Sequence, residues 1–163
     1  MNPSFHELMV HMLQDMYDAE KQALKALPKM AKAATSTKLK KGFEKHEKQT
    51  EKQIERLEKI AEKLGHKVKG VPCVGMEGLV KEGEEIMKMK LDPEVKDAAL
   101  IVAAQKVEHY EIVAYASMIT HAEMMGHKDA VKLMKESLDE EKRTDEELNK
   151  LAEGDLNKKA IKE

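Results

Sequence analysis

The sequence predicts an all-α protein, an antiparallel four-helix bundle whose long central connection carries a short extra helix. Three observations lead to this fold class. Only 3% of the 163 residues are aromatic and tryptophan is absent, while Ala, Lys, Glu, Leu and Met dominate, a composition typical of helical bundles. Apolar residues recur at helical spacing through most of the chain. Two short connections and one long connection separate the helical segments, which is the pattern of two hairpins joined by a crossover.

The first two helices are marked by end signals and apolar faces. Ser4 and Glu7 have the spacing of a capping box, so the first helix is expected over about residues 4–33. A turn rich in Ser and Thr follows at residues 34–38. The second helix has an apolar face that is unusually polar at its middle, and it ends at Gly65, a strong C-terminal signal.

The second half of the chain begins with the long connection, residues 66–92, in which only residues 76–89 have the pattern of a short helix. Asp92 and Pro93 are a cap and first-turn pair that opens the third helix. The third helix ends at Gly126, and the fourth follows after almost no loop. The two hairpins are therefore expected to pack as a bundle, with the long connection crossing its length.

Composition and charge narrow the class of protein. With 41% hydrophobic and 37% charged residues, the chain is expected to form one domain over residues 1–163. The net charge of -2 comes from interleaved acidic and basic residues, so no nucleic-acid binding is expected. Neither a transmembrane run nor a signal peptide is recognisable, and we expect a cytoplasmic protein without a membrane partner. The single Cys73 is interpreted as a packing residue.

Polar residues interrupt the apolar stripe of all four bundle helices at one level. Glu20 and Thr50 lie 15 residues to either side of the first turn, and Glu111 and Glu141 lie 15 residues to either side of the second. Residues equidistant from the turn of a helical hairpin lie at the same height. The four helices should therefore form one polar layer in the middle of the bundle, made of Glu20, His46, Gln49, Thr50, Gln53, Glu108, Glu111, Glu141, Thr144 and Asp145.

This layer predicts a metal site. Burying a carboxylate without a partner is costly, so such groups must be protonated, be matched by cations or hold a metal ion. Carboxylates that converge with imidazole inside a bundle are typical ligands of two iron or manganese ions. His46 has two interpretations that stay open, as a ligand or as a core histidine that donates to Glu20 or Glu111. The rival hypothesis is a metal-free helical bundle whose layer is hydrogen-bonded and which acts through protein interactions.

Five segments, in order and covering most of the chain, carry a family resemblance: YDAEKQALKALPKMAKAA, HEKQTEKQIERLEKI, GMEGLVKEGEE, VEHYEIVAYASM and LDEEKRTDEELNKLAE. They resemble the YciE/YciF family of ferritin-like proteins. The resemblance implies a ferritin-like bundle with a short extra helix in the crossover and a cytoplasmic, stress-associated bacterial protein. It also implies a homodimer and a di-iron centre related to that of rubrerythrins.

The resemblance also implies individual ligands. Glu20, Glu108, Glu111 and Glu141 match the single carboxylates of the family pattern. Helices two and four depart from the Glu-x-x-His usual in ferritin-like enzymes, because helix two has His46-x-x-Gln49 and helix four has Glu141-x-x-Thr144 followed by Asp145. The predicted metal ligands are Glu20, His46, Gln49, Glu108, Glu111, Glu141 and Asp145.

The expected function is binding of iron or manganese, with zinc as a possible substitute. If the protein is an enzyme, the expected chemistry is oxidation of ferrous iron or reduction of peroxide or dioxygen at the metals. The sequence assigns no catalytic residue, substrate or electron donor.

Overall fold

A computed structural model describes residues 4–161, and every regular element in that range is helical. The predicted fold class is confirmed. The helices are α1 Phe5–Ala33, α2 Thr37–Lys63, α3 Val74–Lys88, α4 Pro93–Met124 and α5 Lys128–Leu151, followed by a π-helical turn at Ala152–Leu156 and the short α6 Asn157–Ala160.

Four of these helices form the bundle, and α3 is the short extra helix of the crossover. Helix α1 packs against α2, and α4 packs against α5, as the two predicted hairpins require. The hairpins meet through contacts of α2 with α5 and of α1 with α4. Helix α3 contacts both α1 and α4, so it covers the groove between them.

Helix α2 begins at Thr37, inside the predicted turn at 34–38. The reason is that Ser36 serves as its N-cap and accepts from the backbone N–H of Leu39. The carboxylate of Asp97, on α4, accepts from the N–H groups of Thr35 and Ser36, each at 2.7 Å. This long-range contact shortens the turn and ties it to the second hairpin.

The turn between α4 and α5 depends on Gly126, whose φ of 76° lies in the left-handed region that suits glycine. The N–H of His127 donates to the carbonyl of Ala122 at 2.9 Å, which is the six-to-one bond of a Schellman motif. The chain therefore reverses within a few residues. This tight reversal keeps Glu111 and Glu141 equidistant from the turn.

Two apolar clusters fill the bundle. The first lies towards the Gly126 end and includes Met9, Leu13, Met16, Leu57, Ile60, Met76, Tyr115, Met118, Ala122 and Met134. The second lies towards the turn between α1 and α2 and includes Leu27, Met30, Leu39, Phe43, Leu100, Ile101, Ala104 and Leu148. The predicted polar layer occupies the space between them, so it is shielded at both ends by hydrocarbon.

The end of the chain differs most from expectation, since the π-helical turn and α6 were not predicted. Gly154 has non-helical backbone angles within this turn. Leu156 is buried in the second apolar cluster, which explains why the segment folds back onto the bundle. In the described part of the chain, no helix has the length and apolar character needed to span a membrane.

Candidate metal centre

The structure buries most of the predicted polar layer. Eight of its ten predicted members are buried, and Gln49 and Asp145 are partly buried. One buried polar residue at this level, Ser137 on α5, was not predicted. The eight buried members are Glu20, His46, Thr50, Gln53, Glu108, Glu111, Glu141 and Thr144.

Four of these side chains converge tightly. His46 from α2, Glu108 and Glu111 from α4, and Glu141 from α5 each offer a ligand atom, and these atoms all lie within 4.8 Å of one another. Each of the four residues is at most 2% exposed. Glu108 and Glu111 are one helical turn apart, so both point to the same side of α4. The four residues therefore form one compact group of carboxylates with a single imidazole.

The ring of His46 separates the carboxylates from a second set of polar groups. Its Nε2 lies 3.3 Å from Glu108 Oε2 and 3.4 Å from Glu141 Oε2. Its Nδ1 lies 3.3 Å from Gln49 Oε1 and 3.2 Å from the Thr144 hydroxyl. An amide oxygen can only accept, so in the tautomer with the proton on Nδ1 this nitrogen donates to Gln49. In that tautomer the Nε2 lone pair points at the carboxylates, as in metal-binding histidines.

Six buried carboxylate oxygens of the layer lack hydrogen-bond donors. Both oxygens of Glu111 and both oxygens of Glu141 are buried without a hydrogen-bond partner, as are Oε2 of Glu20 and Oε2 of Glu108. Buried polar atoms in folded proteins nearly always have a partner, and each exception needs an explanation. A group of such oxygens around a histidine nitrogen has the donor set of a cation site.

Burial and mutual repulsion raise the pKa of these carboxyl groups. The pKa of Glu108 is well above its usual range because of desolvation first and the charge of Glu141 second. The pKa of Glu111 is raised likewise by desolvation and then by the charge of Glu20. Without a cation, the folded protein therefore favours protonated carboxyl groups at this level.

Glu20, on α1, lies in the same layer beside Tyr115. The Tyr115 hydroxyl donates to Glu20 Oε1 at 2.5 Å. Burial raises the pKa of Glu20 well above its usual range, and the charge of Glu141 raises it further. Desolvation and the Glu20 carboxylate also raise the pKa of Tyr115, which keeps the phenol protonated as a donor. Tyr115 is fully buried, and its hydroxyl contacts a predicted ligand.

At one edge of the layer lies an ion pair that was not predicted. Arg56, on α2, donates to both oxygens of Glu140 at 2.7 and 2.9 Å. Gln53 also donates to Glu140, at 3.1 Å, rather than to a carboxylate of the compact group. Arg56 lies three residues after Gln53, and Glu140 directly precedes Glu141. Helical spacing was therefore the signal that could have placed this ion pair beside the layer. Arg56 thus lies beside the four buried carboxylates, but its charge is paired with Glu140.

Asp145 is a predicted ligand that lies towards the surface. Its side chain is 23% exposed. One oxygen accepts from Gln105 at 3.1 Å, and the other lies 3.0 Å from His109 Nε2. Neither Asp145 nor Gln49 belongs to the compact group of four.

Fold and site together define a class, a four-helix bundle with a short crossover helix and a buried cluster of glutamates and one histidine. The chain matches the family described as "Domain of unknown function (DUF892)" over residues 4–161, and it belongs to that family. It is 46% identical to Protein YciF of Escherichia coli over 158 residues, which cover 96% of this chain and 95% of that protein. The predicted YciE/YciF resemblance is confirmed.

Solved structures agree with this assignment. The crystal structure of the E. coli stress protein YciF matches with a TM-score of 0.92 and 45% identity over 96% of this chain and 99% of that one. YcfI of Rhodopseudomonas palustris, whose description suggests a structural role, matches with a TM-score of 0.87 and 44% identity. The match covers 90% of this chain and 94% of that one. A Xanthomonas campestris protein with 20% identity and a TM-score of 0.73, over 97% of this chain and all of that one, shares the fold.

Proposed function

We propose that this protein binds one or two iron or manganese ions between His46, Glu108, Glu111 and Glu141. The single observation that carries the proposal is that both oxygens of Glu111 and of Glu141 are buried without a hydrogen-bond partner. They lie with His46 and Glu108 inside a span of 4.8 Å. A cation would pair with these oxygens and offset the repulsion among them.

The donor set favours iron or manganese. Carboxylate oxygens with one imidazole suit hard and borderline cations, whereas copper(I) and structural zinc sites prefer thiolates. The one cysteine, Cys73, contacts the Tyr110 hydroxyl at 3.0 Å and Asp15 at 3.4 Å. It does not belong to the compact group of His46 and the three glutamates. Zinc is the expected substitute because imidazole and carboxylate also bind it.

Each predicted ligand has a distinct part in this proposal. Glu20 faces the same layer, and its charge raises the pKa of both Glu108 and Glu111, so it is assigned to the metal layer with them. Gln49 is assigned to positioning, because its amide oxygen accepts from His46 Nδ1 and so turns Nε2 towards the carboxylates. Asp145 accepts a hydrogen bond from Gln105, outside the compact group, and therefore has the weakest case as a ligand.

Bound iron or manganese would supply electron transfer to dioxygen or peroxide. The chain's own residues supply the surroundings for such chemistry. The Tyr115 hydroxyl holds a proton against Glu20 Oε1, and the apolar clusters above and below exclude bulk water. The Arg56 and Glu140 pair closes one side of the layer without using a carboxylate of the compact group.

The stress-associated role is proposed from the description of the E. coli relative as a stress protein. A cytoplasmic location and a homodimer are proposed from the family resemblance alone. Sedimentation velocity of the purified protein tests the dimer, and a single monomeric species would reject it.

The test of metal binding is elemental analysis of protein purified without chelator, combined with anomalous scattering from crystals. We expect iron, manganese or zinc bound to Glu111 and Glu141. Glu111→Gln, which keeps the shape of the side chain and removes its charge, should lower the metal content. The matched control is Glu123→Gln on the same helix, where Glu123 pairs with Lys135 at the surface. Metal-free protein with an intact fold after reconstitution attempts would reject the proposal and favour the interaction-protein alternative.

A further inference from the structure

A small cavity of about 20 Å³ lies beneath α3. Leu79, Val80 and Gly83 line it from α3, Ala23 lines it from α1, and Ala104 lines it from α4. The α3 residues Leu79 and Val80 are partly exposed, whereas Ala23 and Ala104 are buried. The cavity therefore runs inward from the crossover helix towards the centre of the bundle.

Only the inner end of the cavity carries ionisable groups, and these are His46 and Glu108. Both belong to the compact group of predicted ligands. The remaining lining is hydrocarbon, glycine and methionine thioether. A water molecule needs two to four polar partners to remain in such a space, so the apolar part of the cavity stays dry and only its inner end offers such partners.

The size of the cavity restricts what it can take. Roughly 10–15 Å³ of such volume holds one water-sized molecule, so the space suits one molecule of about two heavy atoms. Polarity restricts it further. A nonpolar molecule gains by leaving water for hydrocarbon, whereas hydrogen peroxide would give up its hydrogen bonds on entry.

We propose that this cavity is an entry site for a small apolar molecule of the size of dioxygen, and that Gly83 sets its width. An added Cβ at Gly83 would meet Ala103 Cβ at 4.0 Å, which is ordinary contact. Alanine therefore fits there and narrows the passage, while leucine fills it. The inference rests on the proposed function in one respect, that the cavity ends at two predicted metal ligands, His46 and Glu108. The cavity itself does not require metal.

The test uses dioxygen as the probe on metal-free protein. Dioxygen is paramagnetic, so methyl groups beside a bound molecule relax faster in NMR spectra recorded under dioxygen than under nitrogen. We expect this enhancement at Ala23 and Ala104, and we expect less of it at Ala122 and Ala130, which are buried to a similar degree in the first apolar cluster. Equal enhancement at the two sets of methyl groups would overturn the inference.

Two substitutions on α3 provide the matched comparison. Gly83→Leu should abolish the local enhancement. Gly78→Leu adds the same side chain to the same helix at a position with no atom within 4 Å, and it should leave the enhancement intact. If Gly83→Leu does not fold, Gly83→Ala takes its place and should reduce the enhancement. Persistence of the full enhancement in the folded Gly83 variant would overturn the assignment of Gly83.

Metal binding is scored separately on the same proteins. Gly83→Leu should bind as much iron or manganese as the wild type, because it leaves every predicted ligand in place. A wild type that binds no metal yet shows the local dioxygen enhancement would reject the proposed function and retain the cavity. A wild type that binds metal without the enhancement would retain the proposed function and reject the cavity as an entry site.

Discussion

Replacing Glu111 with leucine probes the balance of forces in the polar layer. In the metal-free protein, Glu111 is fully buried and neither of its oxygens has a hydrogen-bond partner. Its removal therefore leaves no donor outside the group of carboxyls without an acceptor. An unsatisfied buried polar group costs about 1–3 kcal/mol, so Glu111→Leu should raise the free energy of unfolding of the metal-free protein by about that amount at pH 7. The same change should abolish or weaken metal binding.

The gain should depend on pH with a defined sign. The pKa of Glu111 is raised above its usual value of 4.5 in the folded protein. Between these two pKa values, the folded state holds a proton that the unfolded chain has released, so stability falls as pH rises above about 4.5. Each such proton contributes a slope of up to about 1.4 kcal/mol per pH unit. The advantage of Glu111→Leu should therefore shrink as the pH is lowered from 7 towards 5.

The assay is urea unfolding of chelated wild type and chelated Glu111→Leu at several pH values. Glu123→Leu, at the exposed end of α4, controls for the change of residue type and should shift stability by less than about 0.5 kcal/mol. The reasoning is refuted if the metal-free Glu111→Leu variant is less stable than metal-free wild type at pH 7. That result would mean that Glu111 belongs to a satisfied hydrogen-bond network, as the metal-free alternative holds.

Four further predictions follow from the same contacts. Adding metal at a hundredfold excess over its Kd should stabilise the protein by about 2.7 kcal/mol, and an unchanged Tm after verified metal removal would contradict this. Tyr115→Phe should lower the stability of the metal-free protein by about 1–3 kcal/mol in urea titrations, because Glu20 Oε1 loses its donor. Gln49→Leu should weaken metal binding by about 10–100-fold, measured by competition with a chelating dye, while Gln49→Glu retains the acceptor for His46 and should bind more tightly than Gln49→Leu. Asp97→Ala should cost about 0.5 to 2 kcal/mol by thermal unfolding without changing metal content, since it removes the acceptor for two backbone N–H groups.

The height of the polar layer was predictable from the sequence because it depends on two local facts. Helical rise is fixed, and the turns at residue 35 and at Gly126 are short, so counting residues from each turn placed Glu20, Glu111 and Glu141 at one level. Helical spacing also placed Glu108 beside Glu111. These inferences needed no knowledge of how the side chains are oriented.

What the sequence could not supply was the pairing of side chains across helices. Gln49 and Asp145 share a face with buried residues, yet Gln49 bonds to His46 and Asp145 bonds to Gln105. Spacing along one helix does not determine which group of another helix a side chain meets. Arg56 was overlooked for the same reason, since a charged residue on a half-buried face is usually solvated.

The polar layer is tolerable because of its position between the two apolar clusters. Glu20, Glu108, Glu111 and Glu141 together lack donors for six buried oxygens, and domains of this size are stable by only about 5–15 kcal/mol in total. Hydrocarbon on both sides of the layer holds the helices at a fixed spacing without any help from the carboxylates. The bundle can therefore keep an arrangement of oxygens that is unfavourable by itself, and a cation of matching charge would convert that local cost into binding energy.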